Sequence, residues 1–215
     1  MITIKTFVFN PFMENTYILY DETKEAVIID PGCYESYEKE ELKSFIVEED
    51  LVVKKLLNTH CHIDHVFGNH FIKEEYNVLL SIHQEDLPTL RSVKIYAPNY
   101  GFVNFQESEP DDYFQEGDKI VFGNSSLEVI FLPGHSPGHV AFLNHEEKIC
   151  IGGDVLFNGS IGRTDLPGGD YETLLSSIQE KLFKYDKNIT VYTGHGEPTT
   201  IEKEMRTNPF CAIHS

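Results

Sequence analysis

The segment NTHCHIDHVFGNH, Asn58 to His70, crowds His60, His62, Asp64 and His65 into one short loop. Imidazole and carboxylate are the side chains that accept zinc, iron or manganese as divalent ions. With VKKLLN before it read as a strand and a helix starting near His65, His60 and His62 lie where the chain leaves the strand. Residues two apart in an extended segment point the same way, so both imidazoles can converge on one ion. Cys61 between them points away and is expected as a small buried apolar side chain, not a ligand. Asp64 and His65 come as the chain turns and can face a second ion. The bland competitor is a polar loop that happens to be rich in histidine.

One loop cannot complete such a site, because a zinc-like ion takes four ligands, one of them open to water if the ion is catalytic. Further ligand types close other strand-like runs: FLPGHSPGH ends at His135, KICIGGD at Asp154 and VYTGHG at His195. Glycines beside each permit tight turns at a sheet edge. Three histidines for one ion, Asp64 with two histidines for the other, and Asp154 between them make up a two-metal site.

These residues need a frame. Alternating or β-rich apolar runs occur at ITIKTFVF, TYILYD, EAVIID, VKKLLN, NVLLSIH, DKIVFG, SLEVIFLP, HVAFLN, KICIGG and NITVYTG. Helical spacing appears between Tyr34 and Glu49. It recurs from Tyr171 to Phe183, where Tyr171, Leu174, Leu175, Ile178 and Leu182 share a face behind an N-cap at Asp170. The order repeats once. YILYDETKEAVIIDPG, a helix and VKKLLNTHCH are echoed by VAFLNHEEKICIGGD, a helix and NITVYTGHG. Each half is a hairpin ending at an aspartate turn, then a helix, then a strand ending at a histidine. The pattern predicts a layered α/β sandwich of two similar halves, each presenting polar groups at one sheet edge. Residues 84–117 are expected to be irregular. Their aromatics, Tyr96, Tyr100, Phe102, Phe105, Tyr113 and Phe114, either pack as a satellite core or form a substrate lid.

The chain has 215 residues and a formal net charge of −18. That length suits a single domain over 1–215. The acidic balance argues against nucleic-acid binding, which rests on lysine and arginine neutralising phosphates. No basic start with an apolar run and cleavage site is visible, and no run is long enough to span a bilayer. The scattered Cys33, Cys61, Cys150 and Cys211 read as free thiols in a reducing cytoplasm.

THCHIDH resembles the His-x-His-x-Asp-His signature of the metallo-β-lactamase superfamily, and PGHSPGH, GGD and TGHG resemble its later motifs in the same order. IGRTDLPGGD is similar to a segment of its glyoxalase II-like hydrolases. The resemblance implies a four-layer αββα fold. By motif position it implies that His60, His62 and His135 hold the first metal, that Asp64, His65 and His195 hold the second, and that Asp154 bridges. The cofactor is then two divalent ions, zinc first, with iron or manganese as alternatives. His139 is expected beside the site through a hydrogen bond, and Asp30 as a support of loop backbone near the metals. His70, His83, His145 and His214 match no ligand position. Arg163 is expected either to bind substrate or to pair internally with Asp165, and Tyr96 and Tyr100 to contact substrate from the aromatic segment.

Two cations sharing a water lower its pKa towards 7, which supplies hydroxide at neutral pH without a separate base. The implied reaction is attack of that bridging hydroxide on a carbonyl carbon, with Asp64 orienting it or handling its proton. No Gly-x-Ser-x-Gly is present to suggest a serine hydrolase. Within the superfamily, a carboxylate at Asp154 favours the glyoxalase II-like branch. The expected substrate is a small-molecule thioester or ester, of which S-lactoylglutathione is the type. A lactonase or a persulfide dioxygenase with one iron is the alternative, and a metal-binding protein without turnover ranks below both. Glyoxalase II enzymes continue into a helical domain that contacts glutathione. Here TTIEKEMRTNPF stands after the last motif, so those contacts are not expected.

Overall fold

The computed structural model describes residues 1–213; His214 lies outside them. Fourteen strands and six α-helices follow one another among the described residues. The first sheet holds Thr3–Phe9 (β1), Glu14–Tyr20 (β2), Glu25–Ile29 (β3), Val52–Leu57 (β4), Leu80–His83 (β5) and Asp112–Phe114 (β6), in that spatial order. The second sheet contains Lys119–Phe122 (β7), Ser125–Phe131 (β8), Val140–Asn144 (β9) and Ile149–Gly153 (β10). A separate two-stranded ribbon pairs Leu156–Phe157 (β11) with Ser160–Ile161 (β12). Thr190–Thr193 (β13) and Thr199–Thr200 (β14) complete the second sheet, whose order is β14-β13-β10-β9-β8-β7.

The repeated order in the sequence is a repeated topology. In the first half β2 and β3 are antiparallel; Ser36–Glu48 (α1) then crosses over to β4, which is parallel to β3. In the second half β9 and β10 are antiparallel, and a helical crossover leads to β13, parallel to β10. Alternation along each strand divides its side chains between two layers. Val27 and Ile29 of β3 join Phe142 of β9 and Ile151 of β10 between the sheets. Ala26 and Ile28 turn outward to meet Leu42 and Ile46 of α1. Cys150 of β10 turns outward in the other half, towards Leu174, Ile178 and Leu182. Three apolar layers separate four structural ones, the αββα sandwich expected from the sequence. Truncating a fully buried side chain such as Leu56 is expected to cost about 2–5 kcal/mol.

The remaining helices are Ile63–Val66 (α2), Asn69–Tyr76 (α3), Leu87–Tyr96 (α4), Tyr171–Ser176 (α5) and Ile201–Thr207 (α6). Asp170 caps α5, its carboxylate accepting from the Thr173 amide at 2.8 Å. The helix continues as a π turn over Ser177–Lys181 and a 3-10 turn over Leu182–Lys184. Leu174, Ile178 and Leu182 recur every fourth residue, and widening the turn keeps all three on the sheet. Tyr171 leaves that face and is 44% exposed.

Residues 84–117 are not irregular throughout, as the sequence had suggested. They hold a 3-10 turn at Gln84–Asp86, α4, a second 3-10 turn at Ala97–Tyr100, and β6. Pro88 looks like a loop residue, but it falls in the first turn of α4, where no intrahelical partner is lost. Leu90, Val93 and Ala97 then bury one helical face. The C-terminal TTIEKEMRTNPF likewise contains α6, capped by the Thr200 hydroxyl.

Candidate metal centre

The carboxyl ends of β3, β4, β8, β10 and β13 deliver Asp30, His60 to His65, His135, Asp154 and His195 to one edge of the sandwich. Ligands in α/β sheets characteristically bind at that end of the strands. His62 is extended, with ψ of 155°, and α2 starts directly after it. The loop therefore presents His60 and His62 before the backbone coils, and Asp64 and His65 after.

Seven predicted ligands meet there. The coordinating-type nitrogens of His60, His62 and His135 lie within 4.8 Å of one another, as do the ligand atoms of Asp64, His65 and His195. Nδ1 of His62 is 2.8 Å from Nε2 of His135, which is 3.3 Å from Nε2 of His60. Asp154 stands between the groups. Its Oδ2 is 3.5 Å from Nε2 of His135 and 3.5 Å from Nε2 of His195, and its Oδ1 is 3.6 Å from Nε2 of His65. Gly194 is required here, because a Cβ at that position would overlap Asp154 Oδ1.

The outer ring nitrogens are tied down in a way that bares the inner ones. His135 donates Nδ1–H to the Arg163 carbonyl at 2.7 Å, and His195 Nδ1 faces the carbonyls of Phe12 and Met13 at 3.1 and 3.2 Å. His65 Nδ1 faces Asp30 Oδ2 at 3.1 Å. His60 Nδ1 donates to Thr59 Oγ1, whose own proton goes to Asp30 Oδ2. An imidazole that gives Nδ1–H outward keeps a lone pair on Nε2, the state a metal requires. His65 Nε2 and Asp154 Oδ1 are moreover buried without a hydrogen-bond partner. Such orphans cost about 1–3 kcal/mol each, and a cation between them satisfies both. The donor set fits two divalent ions. A further trio, Asp30 with His60 and His65, also lies close. Asp30 is already filled by the Thr59 amide at 2.7 Å, the Thr59 hydroxyl and His65, so it supports the loop.

The two clusters have opposite electrostatics. Burial and neighbouring imidazoles hold His60 far below the usual histidine range and bring His62 down to about 3. Burial also pulls on His65 and His195, but Asp64 and Asp154 more than offset it. His65 is raised well above its usual range, and His195 is raised to about 10. Burial disfavours the charged carboxylates too, yet His65 and His195 hold both Asp64 and Asp154 below their ordinary values.

The other expected residues take distinct places. His139 is fully buried, stacks on His60 at 4.9 Å, and accepts the Asp154 amide at 3.0 Å through Nε2. Arg163 reaches the site through its carbonyl. Its guanidinium is engaged by Asp165 in two bonds of 2.7 Å, the internal pair that the sequence offered beside substrate binding. Tyr96 is half-buried on α4, where burial and the nearby Asp64 charge push its phenol up; Tyr100 is 66% exposed. His83 stacks on Phe131 and His145 pairs with Glu128, both apart from the cluster. The four cysteines are buried and unpaired.

Sequence reasoning missed several supports. Glu14 is fully buried; Thr16 donates to its Oε2, and its Oε1 lies 3.9 Å from His65 Nδ1. Burial raises its carboxyl well above the usual range, despite His65. Asn15 donates to the carbonyls of Thr193 and Gly196 and so ties the first sheet to the turn bearing His195. Asn58 donates to the His65 carbonyl. Asp86 is also wholly buried beside the site. A lone acid or amide carries no local signature of such burial; only Asn58, at the end of a strand-like run, offered a hint.

Two stacked sheets with histidines and aspartates gathered at one edge define a metal-dependent hydrolase fold. The chain belongs to the metallo-beta-lactamase superfamily, whose profile matches residues 9–195. It is 43% identical to the hydroxyacylglutathione hydrolase GloC of Haemophilus influenzae over 201 residues, 93% of each chain. Among solved structures, TTHA1623 in a di-iron-bound form superposes with a TM-score of 0.85 at 35% identity, covering 96% of this chain and 99% of that one. The B3 metallo-beta-lactamase BLEG-1 superposes at 0.87 with 32% identity, covering 98% and 100%.

Proposed function

We propose that this metallo-hydrolase is a binuclear thioesterase that cleaves small acyl thioesters of the S-lactoylglutathione type. The observation that carries the reading is the position of Asp154 between two complete ligand groups, 3.5 Å from His135 on one side and 3.5 Å from His195 on the other. In this reading His60, His62 and His135 hold one ion, Asp64, His65 and His195 the second, and Asp154 both. Similarity to GloC supports the hydroxyacyl thioester as substrate. The di-iron form of TTHA1623 supports two ions and makes iron a rival to zinc.

Two divalent ions supply an acidified water and positive charge for a developing oxyanion. The chain's own residues do the rest. Asp64, kept ionised, is placed to orient the water and take up its proton. Burial of the inner side chains limits competing solvent, while His195, with 28% of its side chain exposed, marks the open side. Phe12, Met13 and Phe157 lie around it: the first two cap its Nδ1 with their carbonyls, and the Phe157 ring is 6.2 Å away. An apolar rim with few polar groups suits a small acyl or thiol portion. Overall, oxygen from water joins the acyl carbon, the C–S bond breaks, and the thiol leaves with a proton.

The test is a panel of S-lactoylglutathione, a lactone and a persulfide, run beside elemental analysis of protein purified without chelator. About two metals per chain and thioester turnover are expected. Saturation at a single iron with oxygen-dependent persulfide consumption would overturn the reading in favour of the dioxygenase.

A further inference from the structure

Asp86 lies at the start of α4, in the segment whose role the sequence left open. It is fully buried, and the groups that reach its carboxylate are backbone amides and hydroxyls. Hydrogen bonds alone hold the carboxylate, and they come from two different loops. Oδ2 accepts the Cys61 amide at 2.5 Å. Oδ1 accepts the Gly138 amide at 3.1 Å, the Ser136 hydroxyl, and the Thr89 hydroxyl of its own helix at 3.3 Å. Cys61 sits between His60 and His62. Ser136 follows His135, and Gly138 precedes His139. The approach is so close that a Cβ on Gly138 would overlap the Asp86 main chain.

We infer that Asp86 is the positioning residue of the first metal site. It sets the spacing between the loop that carries His60 and His62 and the loop that carries His135. It does so through backbone and hydroxyl groups, without touching a ligand ring. A buried carboxylate stripped of one donor, or a donor stripped of its acceptor, carries a desolvation cost. The two loops are therefore held in one register. Changes to the partners of metal ligands typically lower affinity about 10–100-fold. The effect is local: His65 and His195 are steadied instead by Asp30, Asn58 and the Phe12–Met13 carbonyls, and the Asp64 carbonyl by the Asn10 amide.

The inference rests on the two-ion reading, and cobalt titration of the metal-free chain separates the two. Wild-type protein is expected to take two equivalents and to develop the visible bands of bound cobalt. Asp86→Asn keeps the volume but turns one acceptor into a donor facing a donor. Placed in a His195→Ala background, which leaves the first site intact, it is expected to weaken cobalt binding at least about tenfold and to shift the bands. In a His60→Ala background, which leaves the second site, it is expected to change binding less than about twofold. Ser136→Ala, which removes one donor and spares the fold, is expected to give a smaller loss confined to the first site, and decides the matter if Asp86→Asn does not fold. Unchanged affinity and bands in the first site, or an equal loss in both, overturns the role of Asp86 alone. No cobalt uptake by the wild type overturns the two-ion reading, and this one with it.

Discussion

The His60–His62–His135 group and the Asp64–His65–His195 group use the same ligand chemistry to opposite effect. The first is three imidazoles, where burial and the neighbouring rings discourage His60 and His62 from charging; His62 falls to about 3. The second mixes imidazole with carboxylate, and His195 rises to about 10. A cation entering the first group meets bare lone pairs. In the second it must displace protons on His65 and His195, which the Asp64 and Asp154 carboxylates stabilise. The lesson is that the partner of each ligand, more than its type, sets its protonation state.

Asp154 is where the two groups join, so its loss has the largest expected effect. Asp154→Ala removes the residue shared by both clusters and is expected to cost about 3 kcal/mol or more of transition-state stabilisation, read as kcat/KM. Cys61→Ala is the control. Its side chain is buried in the core on the far side from the ligand set, so turnover stays near wild type. Similar activities for the two variants would refute the assignment of the bridge.

The next contrast is between the supports. Asp30→Asn replaces an acceptor of Thr59 and His65 with an amide. It frees the His65 ring to turn and is expected to lower affinity for the second ion about 10–100-fold, with a smaller loss at the first, which Asp30 reaches only through Thr59 and His60. Isothermal titration with zinc reads both sites in one experiment. A selective loss of the first ion instead would show that Asp30 acts through Thr59 and His60.

These supports also mark where the sequence stopped being legible. The ligands stood out because metal chemistry is written in residue type and close spacing, and the strands because alternation shows which face is buried. The order hairpin, helix, strand exposed the two halves before any contact was known. Asp86, Glu14 and Asn15 gave no such sign, since their importance comes from chain segments far away in sequence. Asn15 meets Thr193 and Gly196 only once the two sheets are stacked. α4 was hidden by Pro88 and by aromatics that resemble a loop, although Leu90, Val93 and Ala97 had helical spacing all along. Arg163 showed its charge, but not that its carbonyl would be the useful group.

Stability of the chelator-stripped protein offers a smaller but direct reading of the two electrostatic regimes. His62 has a folded pKa near 3 against an unfolded value near 6.5, so the unfolded chain binds more protons between those values. Its contribution to stability is complete above about 6.5 and is lost as pH falls towards about 3. His195 has a folded value near 10, so the native state binds more protons between about 6.5 and 10. That contribution is complete below about 6.5 and is lost as pH rises through 10. Urea midpoints across pH should decline on both sides. His62→Ala should flatten the acidic limb and His195→Ala the alkaline one. If either variant flattened both limbs, the clusters would be one coupled unit and the contrast between them would fail.

The smallest expected effect lies at the rim, where Tyr96 and Tyr100 separate two roles that the sequence left joined. Their rings are 5.9 Å apart, but Tyr96 packs against the core under α4 while Tyr100 stands out on the turn that follows. Phe102, two residues on, reaches the Phe12 ring at 5.8 Å, and Phe12 lends its carbonyl to His195. The aromatic turn is thus continuous with the open side of the metal centre. Substituting an exposed ring usually changes stability by no more than about 0.5 kcal/mol. Tyr100→Ala should therefore keep its melting temperature. If the ring contacts the acyl or thiol group, KM should rise about threefold to tenfold with kcat held, the mark of binding lost equally from ground and transition states. Tyr96→Ala should lower the melting temperature as well, because it removes buried apolar surface. Unaltered kinetics in Tyr100→Ala would assign the whole segment to packing, and α4 would then act on the site only through Asp86.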